Sequence, residues 1–208
     1  VPPVLTRSWF HTGAYLTRDR ISNYFAGLRD ERDQGEYYRE PGLTDAQARE
    51  LLLDDTVLPS GLTVEEEREA CRALKGLMLR QEIYAEDNSD KAPHPYVVSE
   101  QNFTIQVLQA KSENASAVVL AHPRESISYH YERNPADPRI GHAQTLEVDS
   151  FGNVRKALSI GYGRRQPDAA ARTGNQGDLA GQFEVHDTGS PVRLSSLRQT
   201  GFALGDPR

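Results

Sequence analysis

Between residues 44 and 78 the apolar positions recur at helical spacing. Thr44-x-x-Gln47 is a capping-box pattern, and it leads into Ala46, Ala48 and the run Leu51-Leu52-Leu53. Pro59-Ser60-Gly61 interrupts, and Thr63-x-x-Glu66 opens a second helix whose first turn carries Glu65, Glu66 and Glu67. Carboxylates there suit the positive end of the helix dipole. Ala70, Cys71, Leu74, Leu77 and Met78 form one apolar stripe. The pattern predicts helices near residues 44–55 and 63–78.

From residue 79 the period shortens to two. Leu79, Gln81, Ile83 and Ala85 alternate with Arg80, Glu82 and Tyr84. Short β-rich runs follow: Tyr96-Val97-Val98, Phe103 to Leu108, Ala117 to Leu120, Ile127 to Tyr131, Gln144 to Val148 and Val154 to Ile160. Turn residues separate them, among them Asp137-Pro138 and Asp149-Ser150-Phe151-Gly152-Asn153. Strands at this spacing predict an antiparallel meander over 79–165. The fold class is mainly β with a helical segment (α+β).

The two ends lack either period. Residues 1–43 hold Trp9, Phe10, Tyr15, Tyr24, Phe25, Tyr37 and Tyr38 interspersed with charge, and are expected to be irregular. Residues 166–208 read as a polar connector with a weak strand pair around Phe183-Glu184-Val185 and Val192-Arg193-Leu194. Val1-Pro2-Pro3 and Gly205-Asp206-Pro207-Arg208 read as cut ends of a longer polypeptide.

Composition narrows the partners. Thirty acidic side chains outnumber 24 basic ones, for a net charge of −6 over 208 residues. Neither nucleic acid nor an anionic membrane surface is favoured by that balance. No apolar run approaches the roughly 20 residues a spanning helix needs. The one cysteine, Cys71, excludes an internal disulfide. Its place in the helical stripe reads as a buried structural thiol.

The candidate chemistry is thin. Asp187-Thr188-Gly189-Ser190 matches the D-T-G-S signature of aspartic proteases, whose catalysis needs two such loops sharing a proton. One copy implies a homodimer, and His186 stands where an apolar residue is wanted. His11, His94, His122, His130, His142 and His186 make no metal-ligand spacing. His130 reads as a structural imidazole. Gly161-Tyr162-Gly163 lacks the rest of a dinucleotide motif, and Ser126 and Ser159 lack a nucleophile elbow. No catalytic, cofactor-binding or metal-ligating residue is assigned, and no cofactor is expected.

Longer stretches are more specific. Ser8-Trp9-Phe10-His11-Thr12-Gly13-Ala14 resembles the opening of a middle segment in the B component of bacterial insecticidal toxin complexes, the Tc toxins (TcdB/TcaC-like and SpvB-related proteins with RHS repeats). The run from Glu65 to Gly76, on into Leu79 to Ala85, resembles the same segment, as do Pro95 to Phe103 and His130 to Ile140. Leu146 to Val154 is similar to an RHS hairpin, with Gly152-Asn153 placed to take positive φ in a tight turn. Residues 169–208 depart from the family pattern, and Leu197 to Phe202 is at best a remnant of a later motif.

The resemblance implies a secreted shell wall without catalysis of its own. In that family the B and C components form a hollow β-shell around the toxic C-terminus of the C component, and the A component injects it. The implied partners are the C component, its cargo and, through the rest of the B component, the A component. Two other classes remain open: a homodimeric aspartic protease using Asp187-Thr188-Gly189, and a protein- or carbohydrate-binding module using the N-terminal aromatics. A strip of shell is also expected to be marginally stable or self-associating by itself, because its outer strands lack neighbours.

Overall fold

In the computed structural model, residues 2–19, 21–22 and 37–163 are described throughout, and 182–187 by their backbone. Tyr24 and Phe25, the connector over 166–181, Thr188-Gly189-Ser190, the Val192–Leu194 strand and the Leu197–Phe202 remnant lie outside the described residues.

Among the described residues, seven strands follow one another in sequence and in space. They are β1 (Val4–Phe10), β2 (Met78–Ala85), β3 (Val97–Gln109), β4 (Val118–His130), β5 (Arg139–Val148), β6 (Val154–Tyr162) and β7 (Gln182–Asp187). The sheet order is β1-β2-β3-β4-β5-β6-β7, and every pairing is antiparallel. This is the meander that the period-two text predicts.

The β5–β6 turn shows why that text works. Asp149 accepts from the backbone N–H groups of Phe151 and Asn153, both at 2.9 Å. Its other oxygen accepts from Asn153 Nδ2 at 3.0 Å. These bonds hold the carboxyl below its usual range. Gly152 alone takes positive φ, at 87°. Asn153 was expected to share that role; instead its side chain closes the loop.

β1 is a strand where irregular chain was expected. Its residues pair with β2 from Val4 opposite Ala85 to Phe10 opposite Met78. An outer strand that is mostly exposed needs no strict apolar alternation, so the hydropathy pattern is silent there.

Between β1 and β2 the chain builds a cover. α1 (Asp45–Glu50) and α2 (Val64–Arg72) each start on a complete capping box, at Thr44 and Thr63. Both are shorter than expected. After α1 the chain unwinds over the sheet: Leu51 O accepts from Tyr129 Oη at 3.0 Å, and Leu53 N donates to Glu100 at 3.2 Å. Val57 then lies beside β3, donating to Phe103 O and accepting from Ile105 N, both at 3.0 Å. α2 ends at the Ala73 cap, and Gly76, at φ 82°, turns the chain into β2.

Two apolar clusters lie under this cover. One joins Ile21, Leu58, Ala70, Cys71, Leu74 and Leu79 to Phe103 and Ile105; the other gathers Val98, Ile127, Tyr129 and Tyr131. On β3 the buried positions run Val98, Glu100, Asn102 and then Phe103, Ile105. The phase changes where the β3–β4 register shifts, between Asn102 and Phe103. Such a bulge re-aims side chains, and here it lets one strand serve both clusters.

Candidate functional site

The covered face of β2 is polar, which inverts the usual reading of an alternating strand. Arg80, Glu82 and Tyr84 are buried, while Gln81 and Ile83 are half-buried. Arg80 Nε donates to Glu82 at 2.7 Å, and its Nη1 bonds Glu100 on β3. Glu82 also accepts from Tyr38 N at 2.7 Å and from Tyr84 Oη at 2.5 Å. Arg80 Nη2 donates to Tyr38 O at 3.2 Å, and the guanidinium lies 5.1 Å from the Tyr37 ring centre. Burial and the Glu82 contact push the Tyr84 phenol well up. Buried charges survive when each is paired and bonded. This network welds the cover to the sheet, and charged residues in a strand gave no sign of it.

The quoted motifs resolve into joints between elements. His11 is buried; its Nε2 bonds Ile21 O at 2.6 Å and its Nδ1 accepts from Gly13 N at 2.9 Å. Desolvation lowers its pKa, in favour of the neutral ring. Gly13 has φ 79°, and a Cβ there would come within 2.9 Å of Lys75 Cβ. Only glycine lets this turn pass the end of α2. Glu67, buried on α2, accepts from Tyr15 at 2.5 Å and binds Arg18, which hold its carboxyl low. In the His130–Ile140 motif, Arg133 reaches Asp87, and Tyr131 donates to buried Glu40 at 2.9 Å.

The histidines are scattered. His94 Nδ1 lies 3.3 Å from Tyr38 Oη. His122 is buried with Nδ1 near Pro123 O, and His130 is exposed rather than packed. His142 meets a carboxylate: its Nε2 is 3.2 Å from Glu125, and its Nδ1 is 3.1 Å from Tyr162 Oη. Glu125 comes from β4 and His142 from β5, so sequence spacing could not pair them. No set of three metal-ligating side chains is found among the described residues. Cys71 is buried, and burial pushes its thiol up to about 11. A thiol held neutral is no nucleophile. Asp187 ends β7 opposite Lys156.

Five of the eleven large apolar side chains that are exposed among the described residues lie at one end of the sheet. Leu108, Val118, Leu146, Phe151 and Val154 cluster in sequence around the β3–β4 and β5–β6 turns. Among the described residues, β1 and β7 each have one neighbour in the sheet. No described helix is long and apolar enough to cross a membrane.

Comparison with known proteins agrees with this architecture. The family model for the insecticide toxin TcdB middle/C-terminal region matches residues 69–189. A crystal structure of TcdB2–TccC3 is 30% identical, with a TM-score of 0.61 over 81% of this chain and 8% of that one. A TcdB2–TccC3 structure without the hypervariable C-terminal region is 31% identical, with a TM-score of 0.60 over 81% and 7%. The Photorhabdus luminescens Tc holotoxin pore is 30% identical, with a TM-score of 0.59 over 81% and 7%. This chain therefore spans less than a tenth of the solved chains it resembles. No curated protein matches it.

Proposed function

We propose, from the premise that this chain belongs to the insecticide toxin TcdB middle/C-terminal family, that it is a stretch of wall in a shell that encloses a toxic polypeptide. A structural role in a Tc toxin B component follows from the family. Encapsulation, secretion, and contact with a C component, its cargo and an A component belong to the proposal.

The observation that carries the reading is the unbroken seven-strand meander, with no strand beyond β1 or β7 among the described residues. A free-standing domain covers or blunts its edges, whereas a strip of wall leaves them to its neighbours. The apolar residues around the β3–β4 and β5–β6 turns fit the same account, since a wall continues past them. In this reading residues 44–78 form the helical cover and 79–165 the wall. β1 and β7, which come from the flanking segments 1–43 and 166–208, are the outermost described strands of that wall.

The wall does no chemistry of its own. Its buried ionisable groups are engaged in joints: Glu82 and Glu100 with Arg80, Glu67 with Tyr15 and Arg18. Groups committed to structural pairs are poor acids, bases or nucleophiles. The Thr188-Gly189-Ser190 loop of the aspartic-protease alternative lies outside the described residues.

Protease protection of the cargo tests this. The full-length polypeptide containing this chain, co-expressed with its C component, should shield the cargo from added protease. Ile127→Asp, which places a charge in the second apolar cluster, should abolish the shielding. Cargo digested as readily beside the wild type as in free form would overturn the proposal, whatever the variant does.

A further inference from the structure

We infer that Glu125, His142 and Gln144 form a site for one divalent transition-metal ion of the zinc type, which staples β4 to β5. The inference stands apart from the shell reading: it needs no cargo and assigns no reaction.

The strands bring the donors together. Glu125 on β4 lies directly opposite Gln144 on β5, and His142 is two residues along β5, so all three side chains share one face. His142 Nε2 is 3.2 Å from Glu125 Oε2 and 3.5 Å from the Gln144 amide group. One ring nitrogen cannot serve a carboxylate and an amide N–H together. Protonated, it donates to Glu125 and repels the N–H; unprotonated, it accepts from the N–H and repels the carboxylate. Turning the amide presents its oxygen instead, so that Nε2 faces two oxygens.

Those spacings are the edges of a tetrahedron. Donors at zinc-ligand distance from a common centre sit roughly 3.3–3.4 Å apart. An ion in place of the Nε2 proton satisfies all three donors, and water completes the set of four. The set falls short of three histidine, cysteine or carboxylate ligands, and the amide oxygen supplies the third donor. The imidazole nitrogen selects against calcium and magnesium, which favour oxygen alone.

The surroundings suit that role. Arg124 Nη2 holds the other carboxylate oxygen, Oε1, at 2.9 Å, which leaves Oε2 to the ion. Tyr162 Oη lies 3.1 Å from His142 Nδ1 and, by accepting its proton, fixes the tautomer that presents Nε2. Metal-bound imidazoles are oriented in this way. The His142 and Glu125 side chains are 10% and 14% exposed, sheltered yet within reach of an entering ion. The Arg124 charge and the neutral amide both weaken the site, so its Kd should be on the order of micromolar.

Cobalt(II) titration of the 208-residue chain, followed by visible absorption, tests this, because tetrahedral cobalt absorbs far more strongly than octahedral. A strong band should saturate at one ion per chain, and zinc should bleach it. His142→Ala should abolish the band, and Tyr162→Phe should weaken binding about tenfold or more. Gln144→Glu replaces the amide by a carboxylate and should tighten binding about tenfold, a gain that misfolding cannot produce. His130→Ala, which removes an exposed histidine outside the site, should change nothing. No strong band, or a band that survives in His142→Ala, would overturn the inference and leave an adventitious ion only. So would a Gln144→Glu chain that binds cobalt no more tightly than the wild type.

Discussion

Arg133 grips both carboxylate oxygens of Asp87, at 2.7 and 2.9 Å, and so ties the turn after β4 to the loop after β2. Arg133 does so from a left-handed backbone, φ 65°, which a non-glycine residue adopts at a cost. Its backbone N–H donates to Pro95 O at 3.1 Å, and its guanidinium lies 5.5 Å from the Tyr96 ring centre. The clamp, more than the residue's own preference, holds this conformation. Arg133 and Ser89 together keep the Asp87 carboxyl far below its ordinary range.

Arg133→Ala should therefore lower Tm by about 2–4 °C at pH 7. The sign of the pH dependence follows from a depressed carboxylate pKa. The contribution is whole above the unfolded value of about 3.9 and is lost as pH falls below it. Thermal melts of wild type and variant should run parallel from pH 8 to pH 5 and converge only below about pH 4.

The buried network on β2 should be far more sensitive. Arg80→Met leaves Glu82 and Glu100 as uncompensated carboxylates, their side chains 0% and 6% exposed. Removing one partner of a buried pair costs about 3–5 kcal/mol. Urea unfolding should show a loss of that order. A loss below about 1 kcal/mol would mean that the network is no weld.

The meander and both helix starts were legible because they rest on local rules. The capping boxes at Thr44 and Thr63 and the Asp149–Asn153 turn are written in consecutive residues. β1 was illegible because an exposed outer strand need not alternate. The polar weld was illegible for a different reason. Arg80 and Glu82 look like a solvent face until Glu100 and the Tyr38 backbone, distant in sequence, are brought to them. The Glu125–His142 pair, split between β4 and β5, was hidden in the same way.

His11 should titrate below its ordinary value of 6.5, because burial disfavours the charged ring. A histidine whose folded pKa is lowered stabilises the fold fully above 6.5, and that stability falls as pH drops from there. NMR titration of the ring should place the midpoint below 6.5. The unfolding midpoint in urea should decline from pH 7.5 to 5.5, and less steeply in His11→Gln.

As a strip with open edges, the 208-residue chain should self-associate when studied alone. Light scattering coupled to size exclusion should show mass rising with concentration. A charged substitution on the exposed tip, such as Phe151→Lys, should reduce the effect, since Phe151 is 86% exposed. A monodisperse monomer at all concentrations would favour an autonomous domain.

The central claim is that these seven strands are part of a continuous wall. Cryo-electron microscopy of the full-length polypeptide bound to its C component tests it most directly. The account predicts that the outer edges of β1 and β7 are each paired with a further strand, in a closed shell with density inside. A map in which both edges stand free, on a domain outside any shell, would contradict it.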